Sequence, residues 1–375
     1  MRFLYLSLLL VNLISLPAGS QTKKNDSFFP IAVWLQNPNY ARQYRQEGEI
    51  NMYIGLWNPL DEKQLSQIKE AGIQLICEQN DFGLAHKTDP AIYGWMHGDE
   101  PDNAQWNEST KTYDPCINPD DIISYYKEIK QKDKDHPFYL NLGQGVSYTN
   151  WFGRGECTGR ADLYPQYLKG CDIASFDIYP VNSDDTIIKD KLWMGAKGID
   201  SLKRWTNNSK PVYTWIETTL IGKDSPRKPT PQEVKAQVWM AIIHGANGIG
   251  YFCHSFYPAN DEAALLHDKQ MLAAVKEINS TITSLASVLN SETQTGYATV
   301  KSSNSKVPVD ILTKKQNNTH YLFAAAMRNQ ETDASYKVSS GKEAEVIGEN
   351  RSIKIVNGQF DDHFNGYEVH LYKIK

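Results

Sequence analysis

Beyond its first twenty residues the sequence has no long hydrophobic run, no cluster of basic residues and no closely spaced cysteine pair. Each absence removes a class of protein. With no later stretch of about 18 apolar residues, no membrane span is expected. With no Lys/Arg run and a formal net charge of −5, a nucleic-acid partner is not expected. The five cysteines, Cys77, Cys116, Cys157, Cys171 and Cys253, include no C-x-x-C, which argues against a zinc knuckle or a thioredoxin-type centre. No G-x-G-x-x-G follows the first strand candidate, where the chain runs Trp34-Leu35-Gln36-Asn37-Pro38, so a dinucleotide cofactor is not expected either.

The apolar stretch that does exist lies at the start. Met1-Arg2 is followed by the largely apolar Phe3 to Leu16 and the small residues of Pro17-Ala18-Gly19-Ser20, the pattern of a secretory signal peptide over residues 1–20. It predicts a secreted or periplasmic protein, in which disulfides are permitted. Cys116 and Cys157 both fall in long polar loops and could pair, whereas Cys77, Cys171 and Cys253 read as buried thiols.

From residue 29 to about 289, short apolar strands alternate with longer amphipathic stretches. Eight strands are expected, at 30–36, 50–57, 74–78, 92–97, 138–142, 172–178, 212–217 and 248–254. Helices are expected at 61–71, 120–132, 191–205, 231–244 and 262–289. Asp61 and Gly72 bracket the first of these, and Thr230-Pro231 opens the fourth. The connections after the third and fifth strands are poorly helical. Residues 21–289 therefore read as an α/β domain closed into a (β/α)₈ TIM barrel. After residue 290, six short strands among Asn, Gly, Ser and Asp clusters, at 297–301, 309–313, 321–327, 344–347, 352–356 and 367–374, predict a small C-terminal antiparallel β-sandwich over 290–375.

In such a barrel, function sits at the C-terminal ends of the strands. The polar and aromatic residues there are Gln36, Trp57, Glu78, Asp99, Glu100, Asn141, Gln144, Asp177, Tyr179, Glu217 and His254. Two carboxylates stand out. Glu100 follows the fourth strand in YGWMHGDEPDN, and Glu217 ends the seventh in PVYTWIETT. Those strands face each other across the barrel, so their ends can converge over its mouth. Paired carboxyl groups about 5–5.5 Å apart, one protonated and one ionised, are what glycoside cleavage with retention requires. His97 and His254 lie on different strands without paired-ligand spacing, so no metal is expected.

The carboxylate at strand four in a Gly-Asp-Glu-Pro setting and the second Glu at strand seven resemble the clan of retaining (β/α)₈ glycoside hydrolases that includes β-galactosidases, β-mannanases and cellulases. The resemblance covers residues 29 to about 289. It implies Glu100 as acid/base and Glu217 as nucleophile, with a saccharide substrate and no cofactor. Asp99 stands where the clan usually has Asn, and strand eight ends Tyr251-Phe252-Cys253-His254 without the clan's usual Trp. Gln36, Asp99, Asn141, Gln144, Asp177, Tyr179 and His254 are the candidate sugar contacts. Trp57 and Trp151 are the candidate stacking platforms. The insertions at 101–118 and 143–165 are placed to wall the cleft.

Overall fold

The computed structural model describes residues 27–375. Eight parallel strands close into a barrel: β1 (Ile31–Trp34), β2 (Met52–Ile54), β3 (Gln74–Cys77), β4 (Ile92–Met96), β5 (Phe138–Leu142), β6 (Ile173–Asp177), β7 (Val212–Glu217) and β8 (Gly248–Phe252). Each pairs with its sequence neighbours, and β8 returns to β1 through Ile31 opposite Ile249. The strands are buried on both faces, as parallel strands wrapped by helices must be. The signal-peptide reading of residues 1–20 lies outside the described residues. Among those described, no helix is long and apolar enough to cross a membrane.

Large rings fill the barrel interior. Trp34, Tyr139, Tyr213 and Trp215 form one cluster with Met52, Ile54, Ile76, Met96 and Ile173. Trp34 meets Trp215 edge-on at 5.0 Å between ring centroids. Strand β8 makes room for these rings by carrying glycine. Gly248 and Gly250 stand opposite Tyr213 and Trp215, and a Cβ on either would lie 2.8 or 2.1 Å from the facing ring. The barrel is a packed core below the level of the candidate site.

Helix ends follow the local chemistry. Asp61 caps Glu62–Ala71 in a reciprocal box with Gln64, and Gly72 closes it in the left-handed conformation. Thr230 and Glu233 form a second box around Pro231–Ile243. Two helices differ from expectation. The stretch 262–289 is not continuous: it breaks into Ala264–His267 and Lys269–Leu289, because Asp268 leaves helical dihedrals to cap the second helix. Ala41–Gly48 is an additional helix, polar except where Ala41, Tyr44 and Gly48 are buried.

The C-terminal part has eight strands rather than six: β9 (Ala298–Ser302), β10 (Val309–Gln316), β11 (Thr319–Ala326), β12 (Thr332–Val338), β13 (Glu343–Val346), β14 (Arg351–Lys354), β15 (Gln359–Phe364) and β16 (Val369–Ile374). They form a three-stranded sheet, β9-β12-β15, and a five-stranded sheet, β10-β11-β16-β13-β14. Both sheets are antiparallel. Tyr336 and Phe360 from one sheet pack with Leu322 and Tyr372 from the other, which makes a sandwich core. The outer side of the larger sheet joins the barrel, where Phe323 packs on Trp239 with ring centroids 5.6 Å apart.

The two insertions above the barrel are tied together. The first carries a hairpin, Gln105–Asn107 with Thr112–Asp114, and the second is a run of short helical turns. Cys116 and Cys157 are disulfide-bonded between them, and Cys77, Cys171 and Cys253 are buried free thiols. With 41 residues of separation, the crosslink contributes on the order of 3–4 kcal/mol by loop-closure entropy. Cys116→Ala with Cys157→Ala is therefore expected to lower the urea midpoint measurably, with the barrel circular dichroism signal retained at low urea.

Candidate active site

The two-residue period of a strand sets which side chains face the barrel axis. Tyr139 faces inward on β5, so Asn141 does too; Ile173 on β6 carries Asp177 with it, and Tyr213 and Trp215 on β7 carry Glu217. Three of the predicted residues thus share the inward face one layer above the ring cluster, at the C-terminal rim.

Asn141 organises the acidic side of this rim. It is almost fully buried, and its Nδ2 donates to Asp99 Oδ1 (2.9 Å) and Asp177 Oδ2 (3.2 Å). Its Oδ1 accepts from Trp215 Nε1 at 3.1 Å, an indole that also donates to the Tyr139 hydroxyl at 3.0 Å. Asn141 therefore braces two carboxyl groups, and its amide is committed to protein partners.

Glu100 lies beside them, immediately beyond β4. Its backbone is in the left-handed region (φ 44°), a conformation that costs a non-glycine residue about 1–3 kcal/mol and that clusters at functional sites. Asn103 Nδ2 donates to Glu100 Oε2 at 2.9 Å, and Gln105 Nε2 donates to its carbonyl at 3.2 Å. Loss of solvation and the Asp99 charge push the Glu100 carboxyl up to about 7, against hydrogen bonds from Asp177 and Asn103. Asp177 is held well above the ordinary carboxylate range, first by burial and then by the Glu100 and Asp99 charges, and its side chain is hydrogen-bonded to Glu100. Asp99 keeps solvent access, yet loses enough solvation in the cleft to rise to about 6. Three carboxyl groups this close cannot all ionise at neutral pH, so the cluster retains a proton there.

Glu217 has a different environment. It is completely enclosed, with Oε1 accepting from the Val181 amide (2.8 Å) and Oε2 from the Asn182 amide (2.9 Å) and Asn182 Nδ2 (2.8 Å). Burial raises it to about 7, while these donors pull it down. The donors to Glu217 come from Val181 and Asn182 and not from Tyr179. The Tyr179 hydroxyl is pushed well above its usual range by burial and by the charges of Asp177, Glu100, Asp99 and Glu217. It therefore stands within electrostatic reach of both named glutamates.

The remaining candidates divide. Gln36 is fully buried: its Nε2 donates to the Trp34 and Glu262 carbonyls (3.1 and 2.6 Å), and its Oε1 accepts from Tyr44 at 2.7 Å. That leaves Gln36 as a brace for the chain after β8 instead of the sugar contact expected. His254 is likewise almost wholly buried, with Nε2 on the Trp34 carbonyl at 3.0 Å, and burial lowers its pKa. Its ring supports Trp57, whose edge-on centroid distance is 5.6 Å. Trp57 is 53% exposed, and its indole donates to Glu262 Oε2 at 2.5 Å, so it is a held, open platform at the rim. Gln144 and Trp151 are half-buried in the insertion after β5. Glu78 is exposed and neighbours His97 and Tyr125. Among the described residues no group of three His, Cys, Asp or Glu side chains is arranged to hold a metal ion.

Behind Glu100, the insertions are locked by a buried ion pair. Asp102 accepts from the Gly143 amide (2.8 Å) and the Tyr164 hydroxyl (2.9 Å), and Arg154 lies 3.9 Å from its carboxylate. Arg154 Nε donates to the Asp102 carbonyl at 3.3 Å, and its guanidinium stacks 4.6 Å above Tyr164. Both charges are sealed from solvent. Asp102→Ala is therefore expected to destabilise by about 3–5 kcal/mol, the cost of an uncompensated buried cation, read from urea unfolding. Asn103, Asp102, Arg154, Asn182 and Trp215 were not singled out from the sequence. Only Asn103 and Asp102 carried a signal, their place within the Asp-Glu-Pro-Asp-Asn run.

No protein-family model and no curated protein sequence matches the chain. Solved structures share its fold. AmyP in complex with maltotriose superposes with a TM-score of 0.58 over 96% of this chain and 99% of that one, at 9% identity. A catalytic mutant of Gan42B, a GH42 β-galactosidase from G. stearothermophilus, gives 0.55 over 93% and 98%, also at 9% identity. AmyP in complex with maltose gives 0.54 over 93% and 97%, at 8% identity. The likeness spans both the barrel and the sandwich.

Proposed function

We propose that the protein is a secreted glycoside hydrolase that cleaves O-glycosidic bonds of an oligo- or polysaccharide by double displacement, with Glu100 as acid/base and Glu217 as nucleophile. The observation that carries this reading is the rim itself. A carboxyl raised to about 7 by burial and the Asp99 charge lies beyond strand four, and a second inward-facing carboxyl at strand seven, raised to about 7 by burial, accepts three hydrogen bonds that favour its ionised form. The saccharide ligands of AmyP and the GH42 assignment of Gan42B, on the same fold, agree with it. Glu100 protonates the leaving oxygen as the C1–O bond breaks, while a Glu217 oxygen attacks the anomeric carbon. Glu100 then takes a proton from water, whose oxygen displaces Glu217 from the sugar. Trp57 offers the face on which a sugar ring stacks.

One observation favours a second reading. Glu217 is enclosed with both oxygens taken, as suits an anchor for Val181 and Asn182 in a barrel that binds saccharide without cutting it. An inverting pair of Glu100 and Asp177 fits less well. Their carboxyl groups are in hydrogen-bond contact, whereas inversion leaves about 6.5–9.5 Å for a water. Incubation with a panel of polysaccharides and aryl glycosides, followed by proton NMR of the first-formed anomer, separates these readings. Retention is the expected result. Inversion removes Glu217 as nucleophile, and binding without turnover on every substrate supports the second reading.

A further inference from the structure

Three of the exposed rings of the described residues, Trp106, Tyr113 and Phe152, lie on the two insertions. Trp106 and Tyr113 face each other across the hairpin, with centroids 5.1 Å apart, and are 51% and 69% exposed. Phe152 is 74% exposed and packs on Trp151 at 4.2 Å. The two ring pairs belong to one surface. The Ala104 amide donates to the Gly153 carbonyl at 3.0 Å, two residues before Trp106 and one after Phe152, and the Cys116–Cys157 disulfide closes the other side. Apolar side chains this exposed are costly in water unless something covers them.

We propose that this ridge binds an uncharged polysaccharide chain and extends the cleft, so that the substrate is a polymer gripped beyond the bond that is cut. The inference rests on the glycosidase reading above. Three features select this occupant. The ridge is rooted beside the site: both insertions leave the C-terminal rim, one directly from Glu100 and the other from the strand next to β4. The rings are interleaved with amides and hydroxyls (Asn107, Ser109, Thr110 and Thr112), the mixture that meets both the C–H faces and the hydroxyls of sugars. The cations of both insertions are already committed: Lys111 to Glu108, Arg160 to Asp162, and Arg154 to the buried Asp102 pair. None is left to attract an acidic glycan.

The test combines Trp106→Ala, Tyr113→Ala and Phe152→Ala in one variant; all three side chains are exposed, and thermal melting checks the fold. Hydrolysis of a small aryl glycoside reports the cleft, and hydrolysis of neutral polysaccharides reports cleft and ridge together. The expected result is a fall of about tenfold or more in kcat/KM on polymer, with aryl glycoside turnover within about twofold of the parent. Equal values on both substrates, or an equal fall on both, overturns the ridge. If no saccharide is cleaved at all, the glycosidase reading fails separately, and affinity electrophoresis in polysaccharide gels decides the ridge. Retardation lost in the triple variant supports it, and absence of retardation overturns it. Concentration-dependent dimers or binding to phosphatidylcholine vesicles abolished by the same substitutions also overturn it, since the rings then serve another surface.

Discussion

Glu217→Ala is expected to lower kcat by at least ~10³-fold, and added sodium azide is expected to restore turnover. The truncated side chain leaves a space beside the anomeric carbon that the small anion can enter. It then attacks in place of the carboxylate, and the product is a glycosyl azide of inverted configuration. The readouts are release of the aryl leaving group with and without azide, and NMR of the azide adduct. The same substitution has a structural cost. Without the carboxylate, the Val181 and Asn182 amides lose their acceptors, and each buried unsatisfied donor costs about 1–3 kcal/mol. A drop in stability alone therefore does not distinguish a nucleophile from an anchor. Azide rescue does: an anchor has no bond-forming role for azide to replace. Wild-type turnover in Glu217→Ala, or loss that azide leaves untouched in a folded protein, ends the assignment.

The barrel was legible because its strands are buried on both faces, so Ile, Val, Tyr and Trp crowd into runs such as Val212–Glu217 that match the observed strand end to end. The strands that were missed, Thr332–Val338 and Gln359–Phe364, are half-exposed. In the first, Asp333, Ser335 and Lys337 alternate outward with inward Ala334 and Tyr336, and in the second Asp361 and His363 point away from Phe360 and Phe364. Their polarity reads as loop until packing against the five-stranded sheet hides the inner face. The break at Asp268 was hidden for a different reason: one residue leaving the helix changes no hydrophobic period. Around the candidate site, position along the chain placed Asp177 and Glu217 on inward strand faces and Glu100 just beyond β4, but carried no information about side-chain partners. Asn182, which holds Glu217, belongs to a loop with no periodicity. Gln36 shows the opposite failure. It stands at a strand end as a sugar contact should, but the polar chain after β8 folds back and takes its amide.

Asp99→Asn is expected to move the basic limb of the kcat/KM profile to lower pH by about one unit or more, and to cost about tenfold in kcat/KM at pH 8. Asp99 adds negative charge beside Glu100 and so raises its carboxyl, within a cluster that Asn141 also ties to Asp177. An asparagine removes that charge, so Glu100 releases its proton earlier as pH rises. Below the new limb, turnover on activated aryl glycosides remains close to the parent, because these leaving groups need little protonation. The stability consequence has the opposite sign. Carboxyl groups whose folded pKa lies above the unfolded value bind more protons when folded, so their contribution is complete below about pH 4 and is lost as pH rises through about 7. Each unit of upward shift corresponds to about 1.4 kcal/mol. The parent should therefore melt at lower temperature at pH 8 than at pH 5, and Asp99→Asn should flatten that decline by relieving part of the charge crowding. A variant with an unmoved basic limb and an unchanged pH dependence of melting would show that Asp99 does not govern the Glu100 proton.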